Sequence, residues 1–392
     1  MAIELSNLTF TNQADIIVPV SEQEQIVNTG IANTLAGDDI ITGTGGRFSF
    51  LNYGTLNTGE GNDILTGLLN DLSQAPEQGG SGFRNAALGG LDRPGTIDTG
   101  EGDDIIIGIA KRGGGIAVNL ASTINTGDGN DTITGTGTAL GIQINNLSTL
   151  DTGKGNDVIT GTGFFGFQNS STFNTDDGND IITGTDTTGS GYGIYNYINA
   201  TLSNYFSDNP TMDMGDGDDI ITGIGGIGIY NDAIINTGNG NDIITGIGGG
   251  NIGIINSVTS INGIIYTGTI NTGNGNDSII SQGNFTNSGN VFLGEGNDTI
   301  IADGGYDGSG SVFLGNSKDY LKGFGSGNFN GGNGKDTLEL TSGSYTVGIS
   351  GTAVNFTKDG IIMNTSEFEK LIAGSTTYNF SSLTDGQTIF VA

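Results

Sequence analysis

A short acidic turn recurs twelve times along the 392-residue chain and constrains its fold more than any other feature. The consensus of the copies is Gly-x-Gly-Asn-Asp, and in every copy an aliphatic residue stands two positions after the final Asp. The aspartates are Asp39, Asp63, Asp104, Asp131, Asp157, Asp180, Asp219, Asp242, Asp277, Asp298, Asp319 and Asp336. The aliphatic residues are Ile41, Leu65, Ile106, Ile133, Ile159, Ile182, Ile221, Ile244, Ile279, Ile300, Leu321 and Leu338. A repeat that fixes a carboxylate turn together with a buried position predicts one structural unit stacked many times.

The spacing of the repeat indicates the size of that unit. Most successive motif aspartates lie 21 to 27 residues apart, which we interpret as one coil. Two further phrases recur within the interval, as in Gly193-Ile194-Tyr195-Asn196 and Thr123-Ile124-Asn125. Each coil thus contains three short β-prone pieces that are too brief for a free-standing sheet. Stacked side by side, they predict an all-β fold: a right-handed parallel β-solenoid of about 12 coils around a narrow aliphatic core.

The chain divides into a solenoid and two ends. Residues 34–340 are expected to form the solenoid, 1–33 an N-terminal cap and 341–392 a β-rich C-terminal cap, because open ends expose strand edges. Insertions are expected near 68–95 and 187–212, where Pro76, Pro94 and Pro210 cannot donate to a sheet. A structural ladder of hydrogen bonds is expected from the asparagines that follow the Gly-Ile phrase: Asn119, Asn145, Asn169, Asn196, Asn231 and Asn256.

The charge pattern predicts bound cations. The chain has 42 acidic and 11 basic residues, for a net charge of −31, and no Lys or Arg lies between Lys154 and Lys318. Equivalent residues in stacked strands lie about 4.8 Å apart. At that distance like charges repel by about 1 kcal/mol even in water. A column of carboxylates therefore needs cations, and hard oxygen ligands favour calcium. The negative charge also disfavours nucleic acid as a partner.

Composition excludes several classes of function. The chain has no Cys, His or Trp, which excludes disulfide bonds, zinc sites and catalysis that depends on Cys or His. The first thirty residues lack the basic and apolar regions of a cleaved signal peptide. No stretch is long and apolar enough for membrane insertion. We expect a protein that stays inside the cell or leaves by a route that does not read the N-terminus.

The turn itself predicts where calcium binds. Its glycines allow the backbone to fold tightly with carbonyls turned inward, and its final carboxylate would complete an oxygen cage with the turn of the next coil. The predicted metal ligands are Asp39, Asp63, Asp104, Asp131, Asp157, Asp180, Asp219, Asp242, Asp277, Asp298 and Asp336. The predicted turn glycines are Gly59, Gly61, Gly100, Gly102, Gly127, Gly129, Gly153, Gly155, Gly215, Gly217, Gly238, Gly240, Gly273, Gly275, Gly294 and Gly296. Weak sites are expected at Asp39, Asp180 and Asp319, where Leu35, Asp176 and Ser317 replace glycines.

Over about residues 35 to 340 the chain resembles the RTX, or haemolysin-type, calcium-binding repeat, whose pattern is Gly-Gly-x-Gly-x-Asp-x-aliphatic-x. The resemblance implies a parallel β-roll that folds on binding several Ca²⁺ ions. It also implies type I secretion, with a candidate signal within 341–392. The chain departs from the family in that Thr replaces the first Gly in most copies, and its coil is longer with a single acidic turn. We therefore expect calcium along one edge only and a three-sided cross-section.

Three functions fit these features. The leading hypothesis is a secreted, non-catalytic calcium-binding protein of a surface layer, fibre or extracellular matrix, assembling as a homo-oligomer, with cell-surface polysaccharide as a further candidate partner. The second is an ice- or surface-binding adhesin, because the residues flanking each buried aliphatic, such as Ile181 and Thr183, should form an outward Ile/Thr stripe. The third is a polysaccharide lyase or epimerase using Arg84, Arg93, Lys111 and Arg112, the loose basic cluster near the first insertion.

Overall fold

The computed structural model describes residues 2–21, 23–70, 80–88, 93–145, 147–199 and 209–392. In these residues the chain is almost entirely β-strand, with two short 3-10 turns, Leu5–Asn7 and Phe380–Ser382, and no α-helix. Strands of successive coils pair in parallel register, so the predicted parallel β-solenoid is confirmed. Each complete coil contributes strands to three columns, as the sequence phrases predicted. No helix in the described residues is long and apolar enough to cross a membrane.

The first column follows the acidic turns. In the coil of Asp157 its strand is Val158–Gly163, which pairs with Thr132–Thr136 before it and Ile181–Asp186 after it. The β-branched residues of these segments favour the extended backbone. The other strands of this column are Ile16–Ile17, Ile40–Gly43, Ile64–Leu69, Ile105–Ala110, Ile220–Asn231, Ile243–Asn256, Ser278–Asn287, Thr299–Ala302, Tyr320–Lys322, Thr337–Leu340 and Lys370–Ala373.

The second column contains the Gly-Ile-x-Asn phrase and packs closely against the first. An inward glycine makes this approach possible: a Cβ on Gly161 would lie 2.1 Å from the carbonyl oxygen of Gly166. In three coils one long strand, such as Ile220–Asn231, serves both columns. The separate strands of the second column are Ala2–Glu4, Gln25–Asn28, Phe48–Asn52, Gly80–Asn85, Gly113–Val118, Leu140–Ile144, Phe165–Asn169, Tyr192–Asn196 and Gly305–Asp307.

The third column leads into the next acidic turn. Its strands form a parallel sheet from Ile31–Asn33 to Gly327–Asn330, continued by the C-terminal strands. The strands between these two are Thr55–Asn57, Thr96–Asp98, Thr123–Asn125, Thr149–Asp151, Thr172–Asn174, Thr211–Asp213, Ile234–Asn236, Thr269–Asn271, Asn290–Phe292 and Ser311–Phe313. One small parallel pair, Asn316–Ser317 with Asn333–Gly334, joins two successive turns directly.

The core is a narrow file of aliphatic and aromatic side chains running along the axis. All twelve aliphatic residues predicted to be buried are at most 1 % exposed. Phe and Met side chains of the other two columns, such as Phe167, Phe173 and Met212, complete the interior. Because burial of each such side chain contributes about 1.5–3 kcal/mol, the stacked file is the main apolar source of stability.

The interior asparagine ladder differs from the predicted one. Asn169, Asn196, Asn231, Asn256 and Asn287 align, and the side-chain amide of each donates to the side-chain oxygen of the next, for example Asn196 to Asn231 at 2.8 Å. A separate ladder joins Asn28, Asn52 and Asn85. Between the two ladders the register places Val118 and Ile144 at this position. The expected alignment of Asn119 and Asn145 is therefore wrong, because each stands one residue beyond the aligned position.

The long intervals and the ends complete the architecture. Residues 71–79 and 89–92 of the first predicted insertion, and 200–208 of the second, lie outside the described residues. The 35-residue interval before Asp277 contains an antiparallel hairpin of Val258–Ile261 and Ile264–Thr267. Parallel pairing begins within residues 2–33, and Leu5 is fully buried under the first coil.

The C-terminal cap is β-rich, as predicted. Ile361–Ser366 continues the third column in parallel, and Ala353–Lys358, Gly343–Ser350 and Thr388–Val391 follow in antiparallel order. Thr376–Asn379 pairs antiparallel with Lys370–Ala373. The final strand therefore has a structural role, with Ile389 and Val391 buried. An additional role as an export signal stays a prediction.

Candidate calcium-binding turns

The motif aspartates form one continuous column along an edge of the solenoid. Each carboxylate is at most 2 % exposed, although it belongs to a turn at the surface. Its Oδ1 accepts a hydrogen bond from the backbone N–H of the aspartate one coil earlier, as in Asp131 to Asp157 at 2.8 Å. All twelve motif aspartates accept such a bond, at distances of 2.6 to 2.9 Å. The predicted alignment of these side chains is therefore observed.

Two members of the column lie outside the predicted set. Asp15 begins it, since the Asp15 N–H donates to Asp39 at 2.6 Å. Glu369 ends it, since its Oε2 accepts from the Asp336 N–H at 2.8 Å. Neither stands in a glycine-rich turn. The only sequence signal of each is the apolar residue two positions later. After Asp15 this residue is Ile17, which pairs with Ile41, and after Glu369 it is Leu371, which pairs with Leu338.

The second carboxylate oxygen is the unusual feature of the column. In eleven of the twelve motif aspartates the buried Oδ2 has no hydrogen-bond partner. The exception is Asp242, whose Oδ2 accepts from the Thr237 hydroxyl at 2.6 Å. A buried oxygen without a partner costs about 1–3 kcal/mol, and more when it is charged. A column of such oxygens needs another source of positive charge.

Burial raises the pKa of these carboxyls. The pKa of Asp63 rises to about 6, because burial disfavours its charged form more than the nearby Thr58 hydroxyl and the Asp39 N–H favour it. Burial likewise raises the pKa of Asp180 and of Asp242 to about 6. For Asp219 between them the pKa rises to about 8, from burial and the repulsion of its two neighbours. Protonation and cation binding are thus alternative ways to neutralise the column.

The Thr that replaces the first Gly of the family pattern has a structural role. The Thr58 hydroxyl lies beside Asp63 and donates to the Thr99 carbonyl of the next coil at 3.2 Å. In the same way the Thr99 hydroxyl donates to the Thr126 carbonyl, and the Thr126 hydroxyl donates to the Thr152 carbonyl. In the turn of Asp219 the buried Met214 occupies this position and supplies no hydroxyl.

The turn glycines bring main-chain oxygens together between coils. Gly59 and Gly61 have φ of 95° and 137°, values that favour glycine. A Cβ on Gly100 would lie 1.8 Å from the Gly59 carbonyl oxygen, so each turn carbonyl points onto the glycine of the next coil. Fifteen of the sixteen predicted turn glycines have positive φ, and Gly129 is the exception. The replaced positions keep this conformation under strain, with φ of 80° at Leu35, 54° at Asp176 and 99° at Ser317.

A second ladder joins the residues that precede the motif aspartates. The Asn130 N–H donates to Asp103 Oδ1 at 2.7 Å, and the Asn156 N–H donates to Asn130 Oδ1 at 2.9 Å. These bonds run toward the earlier coil, opposite to those of the buried column. The ladder extends from Asp38 to Asn297 and lies in exposed turns. The sequence carries the signal of this ladder as an Asn or Asp before most motif aspartates, a residue for which no role is predicted.

The donors of this edge suit a hard cation. Each turn offers one buried carboxylate oxygen and several main-chain oxygens, which is the ligand chemistry of calcium. Among the described residues no three acidic side chains gather around one point, so a bound ion would need carbonyl ligands. A groove of about 690 Å³ beside the first turns adds Glu60, Asp98, Glu101 and Asp128 to the negative charge of this edge.

The basic residues proposed for catalysis do not share a site with the column. The Arg84 guanidinium lies 4.6 Å from the centre of the Phe48 ring, on the second strand column. Arg93, Lys111 and Arg112 are exposed. The positions of these four residues do not support the lyase hypothesis.

The sequence matches no known family and no curated protein. Among solved structures it is similar to a hyperactive, Ca²⁺-dependent, β-helical antifreeze protein from an Antarctic bacterium, with 16 % identity over 96 % of each chain and a TM-score of 0.33. A similarity at this level supports no inference about binding or activity.

Proposed function

We propose that the chain is a secreted, non-catalytic structural protein whose solenoid is held together by calcium bound between successive acidic turns. The observation that carries this proposal is the column of buried Oδ2 atoms without hydrogen-bond partners. In each turn the motif Asp would hold the ion together with main-chain oxygens of its own and the adjacent turn. The ion would supply the positive charge that the buried carboxylates lack.

Net charge supports the same proposal. Two ion pairs in the described part of the chain are Lys154–Asp177 and Lys322–Glu339, and neither involves a motif aspartate. With a net charge of −31, the acidic side chains lie closer together in the folded state than in the unfolded chain, and their mutual repulsion destabilises the fold. Calcium bound only to the folded state stabilises it by mass action. Extracellular calcium modules bind at about 0.1–1 mM, so external calcium concentrations match this use.

Calcium binding by the purified chain tests the proposal. Isothermal titration calorimetry of the metal-free protein should show uptake of several Ca²⁺ ions per chain at millimolar concentration. Magnesium should replace calcium poorly, because it demands a smaller, regular octahedral set of ligands. Negative-stain microscopy should then show rods in calcium and no rods in chelator. Absence of calcium uptake at millimolar concentration would disprove the proposed function.

A further inference from the structure

The outward face of the first strand column is free of charge over ten consecutive coils, from Ile40 to Ile301. The six central coils each present three outward residues, all half-buried or exposed, and all eighteen are Ile, Val or Thr. We call these eighteen residues the β-branched face. They are Ile105, Ile107, Ile109, Thr132, Thr134, Thr136, Val158, Thr160, Thr162, Ile181, Thr183, Thr185, Ile220, Thr222, Ile224, Ile243, Thr245 and Ile247.

The hydroxyls of this face have no hydrogen-bond partners among the residues that the structure describes. None of its nine threonine hydroxyls makes a hydrogen bond in the described chain, although the backbone of each strand is fully paired with its neighbours. The strand register aligns Thr134, Thr160, Thr183, Thr222 and Thr245 in one straight row. The face is therefore a regular array of methyl groups and free hydroxyls.

Charge marks the limits of this array. The two coils beyond Ile301 place Lys322 and Glu339 in the same row, where they pair with each other at 3.5 Å. The outward side of the third column carries Asp98, Asp151 and Asp213 instead. In a protein with a net charge of −31, a large uncharged face is where a second acidic body can approach with least repulsion.

We infer that the β-branched face binds the same face of a second copy of this chain, forming a two-fold dimer. An identical rod repeats at the same spacing of about 4.8 Å, so every row of hydroxyls and methyls can meet an equivalent row along the whole contact. The six coils of the β-branched face span about 29 Å by about 17 Å, or about 490 Å². The four uncharged coils that flank them extend the contact to at most about 800 Å², the area that each partner contributes to a stable interface.

This inference rests on the proposed function, because calcium would order the coils and neutralise the acidic turns that border the face. The test therefore uses the full chain in millimolar calcium. Sedimentation equilibrium should give twice the chain mass of 39.9 kDa. The variant Thr160→Lys/Thr183→Lys/Thr222→Lys places three charges at the centre of the contact. Because buried unpaired charges are strongly unfavourable, dimer affinity should fall by more than about a hundredfold.

A matched control changes the same three coils on the third column, as Thr149→Lys/Thr172→Lys/Thr211→Lys. These threonines also face outward and undergo the same change of charge. The control should stay dimeric. Circular dichroism establishes that each variant is folded, and the single change Thr183→Lys replaces the triple variant if that one unfolds.

The outcomes separate the inference from the proposed function. A wild-type chain that folds in calcium but sediments as a monomer overturns the dimer and leaves calcium binding intact. Thermal hysteresis from that monomer would identify ice as the occupant of the face. A dimer that survives the β-branched-face variant but not the control would place the interface on the third column. A chain that neither binds calcium nor folds in it refutes the proposed function itself.

Discussion

The backbone N–H of Asp131 donates to Oδ1 of Asp157 at 2.8 Å, while Oδ2 of the same carboxylate is buried without a hydrogen-bond partner. One side chain thus has two separable roles. Its first oxygen joins two coils through a bond that a neutral side chain could also make. Its second oxygen requires a cation or a proton.

Two substitutions of Asp157 should separate these roles. Asp157→Asn keeps an oxygen for the Asp131 N–H but loses the charged ligand, so we expect weaker calcium uptake with little loss of metal-free stability. Asp157→Ala also leaves that N–H without an acceptor, which should cost about 1–3 kcal/mol more. Calorimetric titration measures the bound calcium, and urea unfolding of metal-free protein at pH 6 measures the free energy of unfolding.

Asp319→Asn is the matched control for the calcium effect. Asp319 accepts the equivalent bond from Asp298 at 2.8 Å, but its turn contains Lys318 and the strained Ser317. We expect a smaller loss of calcium from this variant than from Asp157→Asn. Equal losses would contradict the assignment of strong and weak turns.

Strain at Leu35 predicts a stabilising substitution. Its φ of 80° costs a non-glycine residue about 1–2 kcal/mol. Leu35→Gly should therefore raise the free energy of unfolding in calcium by about 1 kcal/mol. The equivalent position of the next coil is Gly59, and the reverse substitution, Gly59→Ala, should lower the free energy of unfolding. A Cβ on Gly59 would lie 1.7 Å from the Leu35 carbonyl oxygen, so Gly59→Ala should destabilise by about 1–3 kcal/mol. Guanidinium unfolding of both variants checks the pair, and a less stable Leu35→Gly chain would refute the strain argument.

The interior ladder predicts a large effect at Asn196. Its amide donates to Asn231 and to the Ile234 carbonyl, and its oxygen accepts from Asn169. Asn196→Ala leaves buried groups without partners and should lower the free energy of unfolding by about 2–4 kcal/mol. Asn119→Ala, outside the ladder and partly exposed, should change it by less than about 0.5 kcal/mol. Similar losses in the two variants would show that the ladder contributes little.

Raised pKa values predict that the metal-free protein is more stable in mild acid. The folded-state pKa is about 7 for Asp104 and about 8 for Asp219, against an ordinary value of 3.8. Their contribution to stability is complete below pH 3.8 and is lost as pH rises through the folded-state values. Calcium-free protein should therefore contain more β-structure at pH 5.5 than at pH 8, where we expect the chain to be largely unfolded. Asp219→Asn, which cannot ionise, should show a smaller difference, whereas higher stability at pH 8 would contradict the argument.

The periodic part of the fold could be predicted from the sequence because each coil repeats the same local requirements. Asp157 and Ile159 recur with fixed spacing, and one position is buried at the turn while the other is buried in the core. Asp15 and Glu369 were not predicted, because each lies at an end of the column. A terminal turn has a neighbouring turn on one side only, so glycine is not required there. Neither residue is preceded by the glycines of the repeat, so the repeat pattern does not include them.

The asparagine ladder failed at Asn119 for a different reason. Alignment depends on strand register, and the strand Gly113–Val118 places Val118 beside Asn85. A phrase that is shifted by one residue looks the same in the sequence but faces another direction. The role of Thr58 was not predicted, because the sequence shows a Thr five residues before the Asp but does not show that its hydroxyl lies beside the carboxylate.

Thermal unfolding followed by circular dichroism tests the central claim that calcium on the aspartate column holds the solenoid together. The wild-type chain should be scanned at pH 8 in millimolar calcium, in millimolar magnesium and in excess chelator. We predict a β-rich spectrum with a cooperative transition in calcium, and a largely unfolded chain in chelator that magnesium restores only weakly. An unchanged β spectrum and the same melting temperature in all three solutions would contradict this account of the protein.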